Sequence, residues 1–253
     1  MDKSSFGGLI LAVGGILLGL TLEGGKIAQI MQPTAAIMVI GGTIGAIMLQ
    51  FPLSTVLQAF GRLGSVFFEK TSDPMAQIGQ MVAFANKARK DGVVSLDSEV
   101  QKITDPFLKK SLMLAVDGTE PQELRKMMEL DLDNKAEHEE HLPKVFEAAG
   151  GFAPTVGIIG AVLGLIQVMQ HLDDINEVGK GIAVAFVATI YGVALANLFF
   201  LPSSGKIKIR IREEQITREM SLEGVISILE GMNPRMLETK LKGYLAEQHE
   251  KEK

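Results

Sequence analysis

The sequence predicts an all-α integral membrane protein, with four transmembrane helices and a helical cytoplasmic domain formed by the loop between helices two and three and the C-terminal tail. The 253 residues are 47% hydrophobic and 22% charged, with a mean hydropathy of +0.23 and the apolar residues in long blocks. Four of these blocks lack Asp, Glu, Lys and Arg. Each is about as long as the ~20 residues that cross a bilayer as a helix.

Charges and prolines set the limits of the expected helices. They cover about residues 4–22, 34–51, 149–170 and 181–202. The corresponding domains are two membrane segments, 1–51 and 149–202, and two polar regions, 52–148 and 203–253. The first block is interpreted as a retained helix rather than a signal peptide, because no A-x-A-like cleavage site follows before Glu23.

The basic residues predict the orientation in the membrane. The polar regions 52–148 and 203–253 hold twelve and ten Lys and Arg, whereas the two short connections hold only Lys26 and Lys180. Cytoplasmic loops carry an excess of Lys and Arg. Both polar regions and both termini are therefore expected on the cytoplasmic side.

The polar regions have the pattern of folded helices. Two stretches, "DPMAQIGQMVAFANKARKDG" and "TDPFLKKSLMLAVDG", begin with Asp-Pro and end at a glycine, as helices do. The charged stretch 119–151 is expected to lead directly into helix three. Ile207, Ile209 and Ile211 alternate like a strand, but the apolar spacing that follows favours one continuous helix.

Several function classes are excluded or disfavoured. The absence of cysteine excludes disulfides, thiolate metal sites and thiol nucleophiles. No phosphate-loop, HExxH or GxSxG pattern occurs, and the basic residues are interleaved with acidic ones. We therefore expect no enzyme activity, no cofactor and no nucleic-acid partner.

The membrane blocks contain few polar features and no Asp, Glu, Lys or Arg. Glycines recur at four-residue spacing, which favours close helix packing and argues for an assembly: Gly15/Gly19, Gly41/Gly45 and Gly160/Gly164. Pro154 either starts helix three or kinks it. Thr155 and Thr189 either bond to their own backbone or, as a pair, offer oxygens to an ion. Because ion pathways usually use a charged group, another subunit must supply the carboxylate if this chain conducts.

Four strings, together with the order of elements, resemble the MotA/PomA family, the A subunit of the bacterial flagellar stator. They are "ARKDGVVSLD" (88–97), "GGFAPTVGIIGAVLGLI" (150–166), "AVAFVATIYGVALANLFFLP" (183–202) and "LEGMNPRMLETKLKGYL" (229–245). ExbB and TolQ proteins are more distant: they share the layout of helices three and four but usually have three spans and lack the "NPR" tail.

This resemblance implies a subunit of an ion-driven motor in the bacterial inner membrane. Five A subunits are expected around two copies of a single-span MotB/PomB-type B subunit, whose aspartate carries the ion. Pro154 and Pro202 match prolines that couple ion passage to conformational change. Thr189 matches the hydroxyl that faces the aspartate, and Thr155 is expected on the same face.

The resemblance also implies a contact with the rotor protein FliG. Arg89 aligns with the arginine that generates torque, and Asp97 with an acidic position that is often Glu. Because aspartate has a shorter reach, Glu99 is expected to share the role of Asp97. Lys90 and Arg235 are further candidates.

Two alanines bear on the choice of ion. Sodium-type members of the family carry threonine where this chain has Ala161 and Ala188. Because a proton needs fewer oxygen ligands than a dehydrated sodium ion, the alanines favour protons.

Two alternatives to a stator remain. One is an ExbB/TolQ-like, proton-driven energiser of an outer-membrane process. The other is a membrane enzyme, for which "EHEEH" (137–141) is the candidate polar cluster. Charge runs of this kind are usually solvated helix surface.

Overall fold

A computed structural model describes residues 2–68 and 73–251, with side chains to residue 245, and all regular structure in these ranges is helical. The α-helices are α1 (Lys3–Leu22), α2 (Pro33–Gln50), α3 (Leu53–Phe67), α4 (Pro74–Asp91), α5 (Asp97–Val100), α6 (Pro106–Val116), α7 (Pro121–Gln170), α8 (Ile175–Ala194), α9 (Leu201–Leu229) and α10 (Pro234–Lys251). Short 3-10 turns lie at Ile27–Ile30 and Val93–Leu96, and a π-helical segment at Leu195–Phe200.

In the described ranges, four helical stretches are long and apolar enough to cross a membrane, which confirms the predicted all-α class with four membrane helices. They are Lys3–Leu22, Pro33–Gln50, Pro121–Gln170 and Ile175–Leu229. The last of these joins α8, the π-helical segment and α9 without a break. The three isoleucines that alternate with basic residues at 207–211 are therefore helical, as predicted.

The chain folds into two compact units. We call Met1–Glu69 with Glu139–Ile209 the apolar unit, and Lys70–His138 with Arg210–Lys253 the charged unit. These limits differ from the domain boundaries 52–148 and 203–253, because α3 and the polar ends of α7 and α9 pack with the apolar helices. The domain boundaries concern where the chain leaves a membrane, and they stay predictions.

Helices of the charged unit begin as the Asp-Pro pattern predicts. Asp73 caps α4 by accepting a hydrogen bond from the amide of Met75 at 2.9 Å, and Asp105 caps α6 in the same way. Each helix has proline as its first residue, where the missing amide costs little. Gly92 follows α4 with a φ of +82°, a conformation that favours glycine.

The charged unit has its own hydrophobic core. Its fully enclosed side chains come from α4, α6, α7, α9 and α10 and include Met81, Leu112, Met128, Ile226 and Leu241. Beside this core, Glu223 accepts a hydrogen bond from Arg125 at 2.9 Å and pairs with Lys240. Burial opposes ionisation of Glu223, but these two cations outweigh it and lower its pKa. The carboxylate therefore ties α7, α9 and α10 together in its charged form.

The N-terminus of the apolar unit is held by a buried carboxylate. Asp2 caps α1 by accepting hydrogen bonds from the amides of Ser4 and Ser5 at 3.0 and 3.2 Å. Its other oxygen lies 2.6 Å from the ammonium of Lys206 in α9. Phe6 packs against Phe67 at the end of α3, with ring centroids 5.4 Å apart. These contacts fix α1 to α3 and α9.

Helix α3 is amphipathic and packs on α7 within the apolar unit. Arg62 donates to Glu139 at 2.6 Å, and the rings of Phe60 and Phe146 meet edge to face at 5.4 Å. Only 8% of the Glu139 side chain is exposed. A buried carboxylate of this kind needs its partner, because an unpaired buried charge is strongly destabilising.

Neither Pro154 nor Pro202 ends the helix in which it lies. Pro154 lies well inside α7, so the alternative of a helix start there is wrong. Hydrogen-bonded turns precede it, and the missing amide deprives only the carbonyl of Gly150 of its donor. Helix α8 begins at Ile175, capped by Asp174, and the helical path continues past Pro202. The limit at residue 202 stays a prediction about where the chain leaves the membrane.

Candidate functional site

Helices α7 and α8 touch along a row of glycines, which we call the glycine seam: Gly157, Gly160, Gly164, Gly181 and Gly192. A Cβ atom on Gly157 would lie 2.8 Å from the carbonyl oxygen of Ala188 and 3.3 Å from the Cα of Gly192. One on Gly164 would lie 2.8 Å from the carbonyl oxygen of Gly181. Contacts under 3.0 Å leave no room for a side chain. The two backbones therefore approach as closely as small residues in membrane helices allow.

Within the described part of the chain, the other predicted glycine pairs have no such neighbours. Cβ atoms on Gly15, Gly19, Gly41 and Gly45 would meet nothing within 4 Å. Of the three pairs singled out in the sequence, only Gly160/Gly164 packs against another helix of this chain.

The two candidate threonines lie on the helices that form the seam. Thr189 is half-buried, and its Cα would lie 3.5 Å from a Cβ on Gly157. Its hydroxyl donates to the carbonyl of Ala185 at 3.2 Å, and the exposed Thr155 hydroxyl donates to Phe152 at 2.8 Å. A hydroxyl that donates to its own helix keeps lone pairs free to accept. Both oxygens are therefore able to accept a hydrogen bond or to contact a cation.

The two candidate prolines lie at neighbouring levels, Pro154 in α7 and Pro202 in α9, which continues α8. Pro154 frees the carbonyl of Gly150, and a Cβ on Gly150 would lie 2.6 Å from the side chain of Leu201, next to Pro202. The π-helical segment Leu195–Phe200 ends directly before Leu201. Such segments inside α-helices often occur at functional sites. Helical hydrogen bonding is thus irregular in both helices at this level.

Ala161 and Ala188 have different surroundings. Ala161 is half-buried on α7, one residue after Gly160. Ala188 is fully buried: its side chain packs with Ala35 and Val39 of α2, and it would lie 2.8 Å from a Cβ on Gly160. A larger residue at 188 would have to displace these neighbours.

The seam lacks any charged group of its own. Residues 149–170 and 181–202 contain no Asp, Glu, Lys or Arg. Among the residues that the structure describes, no cluster of three or more His, Cys, Asp or Glu has the geometry of a metal site. The site therefore consists of threonine hydroxyl oxygens on two closely packed helices whose predicted membrane spans carry no charge.

The candidate rotor residues occupy a corner of the charged unit. Arg89 and Lys90 are exposed in the last turn of α4, and Asp97 is exposed at the start of α5. Among the described residues, these three side chains form no hydrogen bond or ion pair. Lys87 links the two elements by donating to Glu99 at 2.8 Å. The three charged side chains are therefore exposed near the end of α4 and the start of α5, and none is paired within the described residues.

Glu99 differs from Asp97 in being paired. Besides Lys87, it accepts from Lys102 at 3.1 Å, and only 26% of its side chain is exposed. Hydrogen bonds from Lys87 and then Lys102 lower the pKa of Glu99. The charge of Glu99 is thus compensated by two lysines, whereas Asp97 has no ion-pair partner among the described residues.

Arg235 lies at the start of α10, which packs against α4. Its exposed side chain lines a shallow groove with Met232, Met236, Thr239 and Lys240. No hydrogen bond or ion pair within the described ranges joins its side chain to the corner of Arg89 and Asp97.

Gly157, Gly181 and Gly192 are site residues that the sequence reasoning missed. Gly181 and Gly192 combine with Ala185 and Ala188 into a row of small residues on one face of α8. That row is a recognisable signal for helix packing. This row contains no pair of glycines at four-residue spacing, because Gly181 and Gly192 are eleven residues apart.

Comparisons with known proteins agree with this architecture. A model of the MotA/TolQ/ExbB proton channel family matches residues 99–220, and a model of the motility protein A N-terminal region matches residues 6–92. Motility protein A of Bacillus subtilis is 33% identical over 246 residues, covering 97% of this chain and 91% of that protein.

Solved structures match over nearly the whole chain. The structure of C. jejuni MotAB superimposes with a TM-score of 0.91 and 32% identity, covering 96% of both chains. The flagellar MotAB stator complex of Bacillus subtilis superimposes with a TM-score of 0.87 and 33% identity, covering 99% of both chains. With this extent of similarity in sequence and structure, the chain belongs to the MotA/PomA family.

Proposed function

We propose that this chain is the A subunit of an ion-driven flagellar stator, which with a single-span B subunit forms a channel and converts ion flow into torque. One observation carries the proposal: in a member of this family, two closely packed membrane helices present threonine oxygens but no charged group. A channel wall of this kind needs a carboxylate from another chain. The relatives solved as MotAB complexes support such a partner.

The B subunit is the proposed source of the ion-binding aspartate. In the proposed assembly, five copies of this chain surround two B subunits, and Thr189 and Thr155 face them. The exposed apolar residues of α7, such as Ile158 and Val162, would then contact lipid or neighbouring subunits.

The proposed ion is the proton. A dehydrated sodium ion needs several oxygen ligands, whereas a proton needs one acceptor. Ala161 offers no oxygen, and Ala188 is enclosed between helices. The few threonine oxygens and the aspartate of the partner suffice for proton transfer but make a poor sodium cage.

The charged unit is the proposed contact with the rotor protein FliG. Arg89, Lys90 and Asp97 carry open charges at one corner, so each is available to a partner. Glu99 is already paired with two lysines and would act by holding this corner in place. Arg235 belongs to a separate exposed surface on α10.

The proposed location is the bacterial inner membrane, with both termini cytoplasmic. The excess of Lys and Arg in residues 52–148 and 203–253 supports this orientation. The charged unit then faces the cytoplasm, where a rotor is accessible.

The alternatives have less support. The motility-type N-terminal match over residues 6–92 favours a stator over an ExbB/TolQ-like energiser. The enzyme alternative relied on "EHEEH", but Glu139 is buried against Arg62 and Glu140 pairs with Lys144. Both carboxylates are thus engaged in ion pairs within the apolar unit.

Co-purification with the B subunit tests the proposed function. The gene beside this one should encode a protein with one span followed by a peptidoglycan-binding domain. We expect the two proteins to purify as one particle, in which imaging shows five copies of this chain around two partners with α7 and α8 inward. A particle with α1 lining the centre, or a chain that forms no complex with that partner, would contradict the proposal.

Arg89→Glu tests the rotor contact. Reversing an exposed charge should weaken rotor engagement by several kcal/mol, because like charges then oppose each other. We expect swimming to be lost while ion flow through an unplugged complex stays unchanged. Lys135→Glu makes the same change in charge at an exposed position away from this corner. If the control abolishes swimming equally, or if Arg89→Glu stops ion flow, Arg89 has no specific rotor role.

A further inference from the structure

Tyr191 joins α8 to the connection between the first two helices. Its hydroxyl donates to the carbonyl of Ile30 at 2.6 Å and accepts from the amide of Gln32 at 3.3 Å. Ile30 ends the 3-10 turn, and Gln32 is the residue directly before α2. Both partners are main-chain atoms, so a single phenolic oxygen holds the point where the chain enters α2.

The environment of Tyr191 makes this oxygen difficult to replace. Its half-buried ring packs on the cluster formed by Ala35, Val39 and Ala188. A backbone carbonyl or amide left without a partner in apolar surroundings is costly. The hydroxyl therefore favours one rotational setting of α8 relative to α2.

Tyr191 and Thr189 point in nearly opposite directions from α8. Successive residues of an α-helix are about 100° apart, so two positions separated by two residues are about 200° apart. The backbone of Thr189 lies on the α7 side, opposite Gly157, whereas Tyr191 packs on α2. Any rotation of α8 about its axis that breaks the Tyr191 bonds must also turn the Thr189 hydroxyl.

We propose that Tyr191 is a positioning residue that sets the rotation of α8 and thereby the direction of the Thr189 hydroxyl. This inference rests on the proposed function, in which Thr189 faces the ion path. At Ala188 the glycine seam adjoins the cluster on which Tyr191 packs, and the glycines of the seam carry no side chain that could fix the rotation of α8 by a hydrogen bond. The Tyr191 bonds supply the restraint that the seam lacks.

A double-mutant cycle tests the coupling. Proton flow is measured in cells that express the unplugged complex with its B subunit, and it is normalised to the amount of complex. Tyr191→Phe keeps the ring and removes only the hydroxyl. It should reduce flow at least about 2- to 10-fold, the range expected for one lost hydrogen bond, since it removes the bonds to both Ile30 and Gln32. In a Thr189→Val background the same change should have no further effect, because the hydroxyl that it positions is already absent.

Tyr244→Phe is the matched control, since it removes the hydroxyl of the other tyrosine of the chain, in the charged unit. It should leave flow per complex unchanged. Independent, multiplicative effects of Tyr191→Phe and Thr189→Val would overturn the inference, as would normal flow in Tyr191→Phe. If the unsubstituted complex conducts no ions, the proposed function fails, and the inference fails with it.

A second measurement follows the direction of residue 189 without relying on ion flow. The chain has no cysteine, so Thr189→Cys introduces a unique thiol. Its rate of reaction with a membrane-permeant maleimide should change at least about twofold when Tyr191→Phe is added, because the bonds to Ile30 and Gln32 are lost and each is expected to contribute at least that factor. A thiol from Thr155→Cys on α7 should react at the same rate in both backgrounds. Equal rates at position 189 would overturn the inference.

Discussion

Replacing Gly192 by alanine should prevent the membrane helices from assembling. A methyl group at this position overlaps the carbonyl oxygen of Ala153 and lies 3.2 Å from the Cα of Gly157. These are backbone atoms, which cannot rotate away, so α7 and α8 must move apart along the whole seam. Overpacking of this kind typically costs about 1–3 kcal/mol. We expect the variant to accumulate poorly in membranes, to lose thermal stability in detergent and to support no swimming.

Gly179→Ala is the matched control for this prediction. Gly179 lies on the same helix, and a Cβ there would meet nothing within 4 Å. Alanine favours a helix over glycine by up to about 1 kcal/mol, so the control should be as stable as the unsubstituted chain or more so. If Gly192→Ala accumulates and melts like Gly179→Ala, the close approach of α7 and α8 is not what holds these helices together.

The sequence predicted the helices well, because their signals are local. A charge-free block of about twenty residues has few alternatives to a membrane helix. Asp-Pro and glycine at the ends of α4 and α6 act within one turn of the residue concerned. The position of Pro154 was ambiguous for the same reason, because the local effect of a proline is also compatible with a helix start. Only the helical turns that precede it in α7 show that it is internal.

The candidate site was less predictable, because its geometry depends on distant parts of the chain. The resemblance identified Thr189, but nothing near it in the sequence indicates that Tyr191 bonds to Ile30, 161 residues away. Likewise, nothing near "EHEEH" (137–141) in the sequence indicates that Glu139 pairs with Arg62, which gives this candidate catalytic cluster a structural role. Glu99 and Asp97 are similar in sequence context, and only the positions of Lys87 and Lys102 distinguish them.

Thr189→Val should reduce ion passage more than any other single change at the proposed ion path. Valine has nearly the same shape as threonine, so α8 should still pack against α7 at Gly157. The substitution removes the oxygen that the proposed path offers to the ion. A hydrogen bond to a charged group contributes about 1.5–3 kcal/mol. Since each 1.4 kcal/mol changes a rate about tenfold, we expect proton flow to fall by about 10- to 100-fold.

The comparison with Thr189→Ser separates the hydroxyl from the packing of the side chain. Serine keeps the oxygen but lacks the methyl group, so proton flow should be largely retained, with any loss appearing as lower stability. Valine should show the opposite combination, with normal assembly and little flow. Because the Thr189 hydroxyl donates to Ala185, its proton is already engaged and only its lone pairs are available. Equal flow in the serine and valine variants would show that this oxygen takes no part in ion transfer.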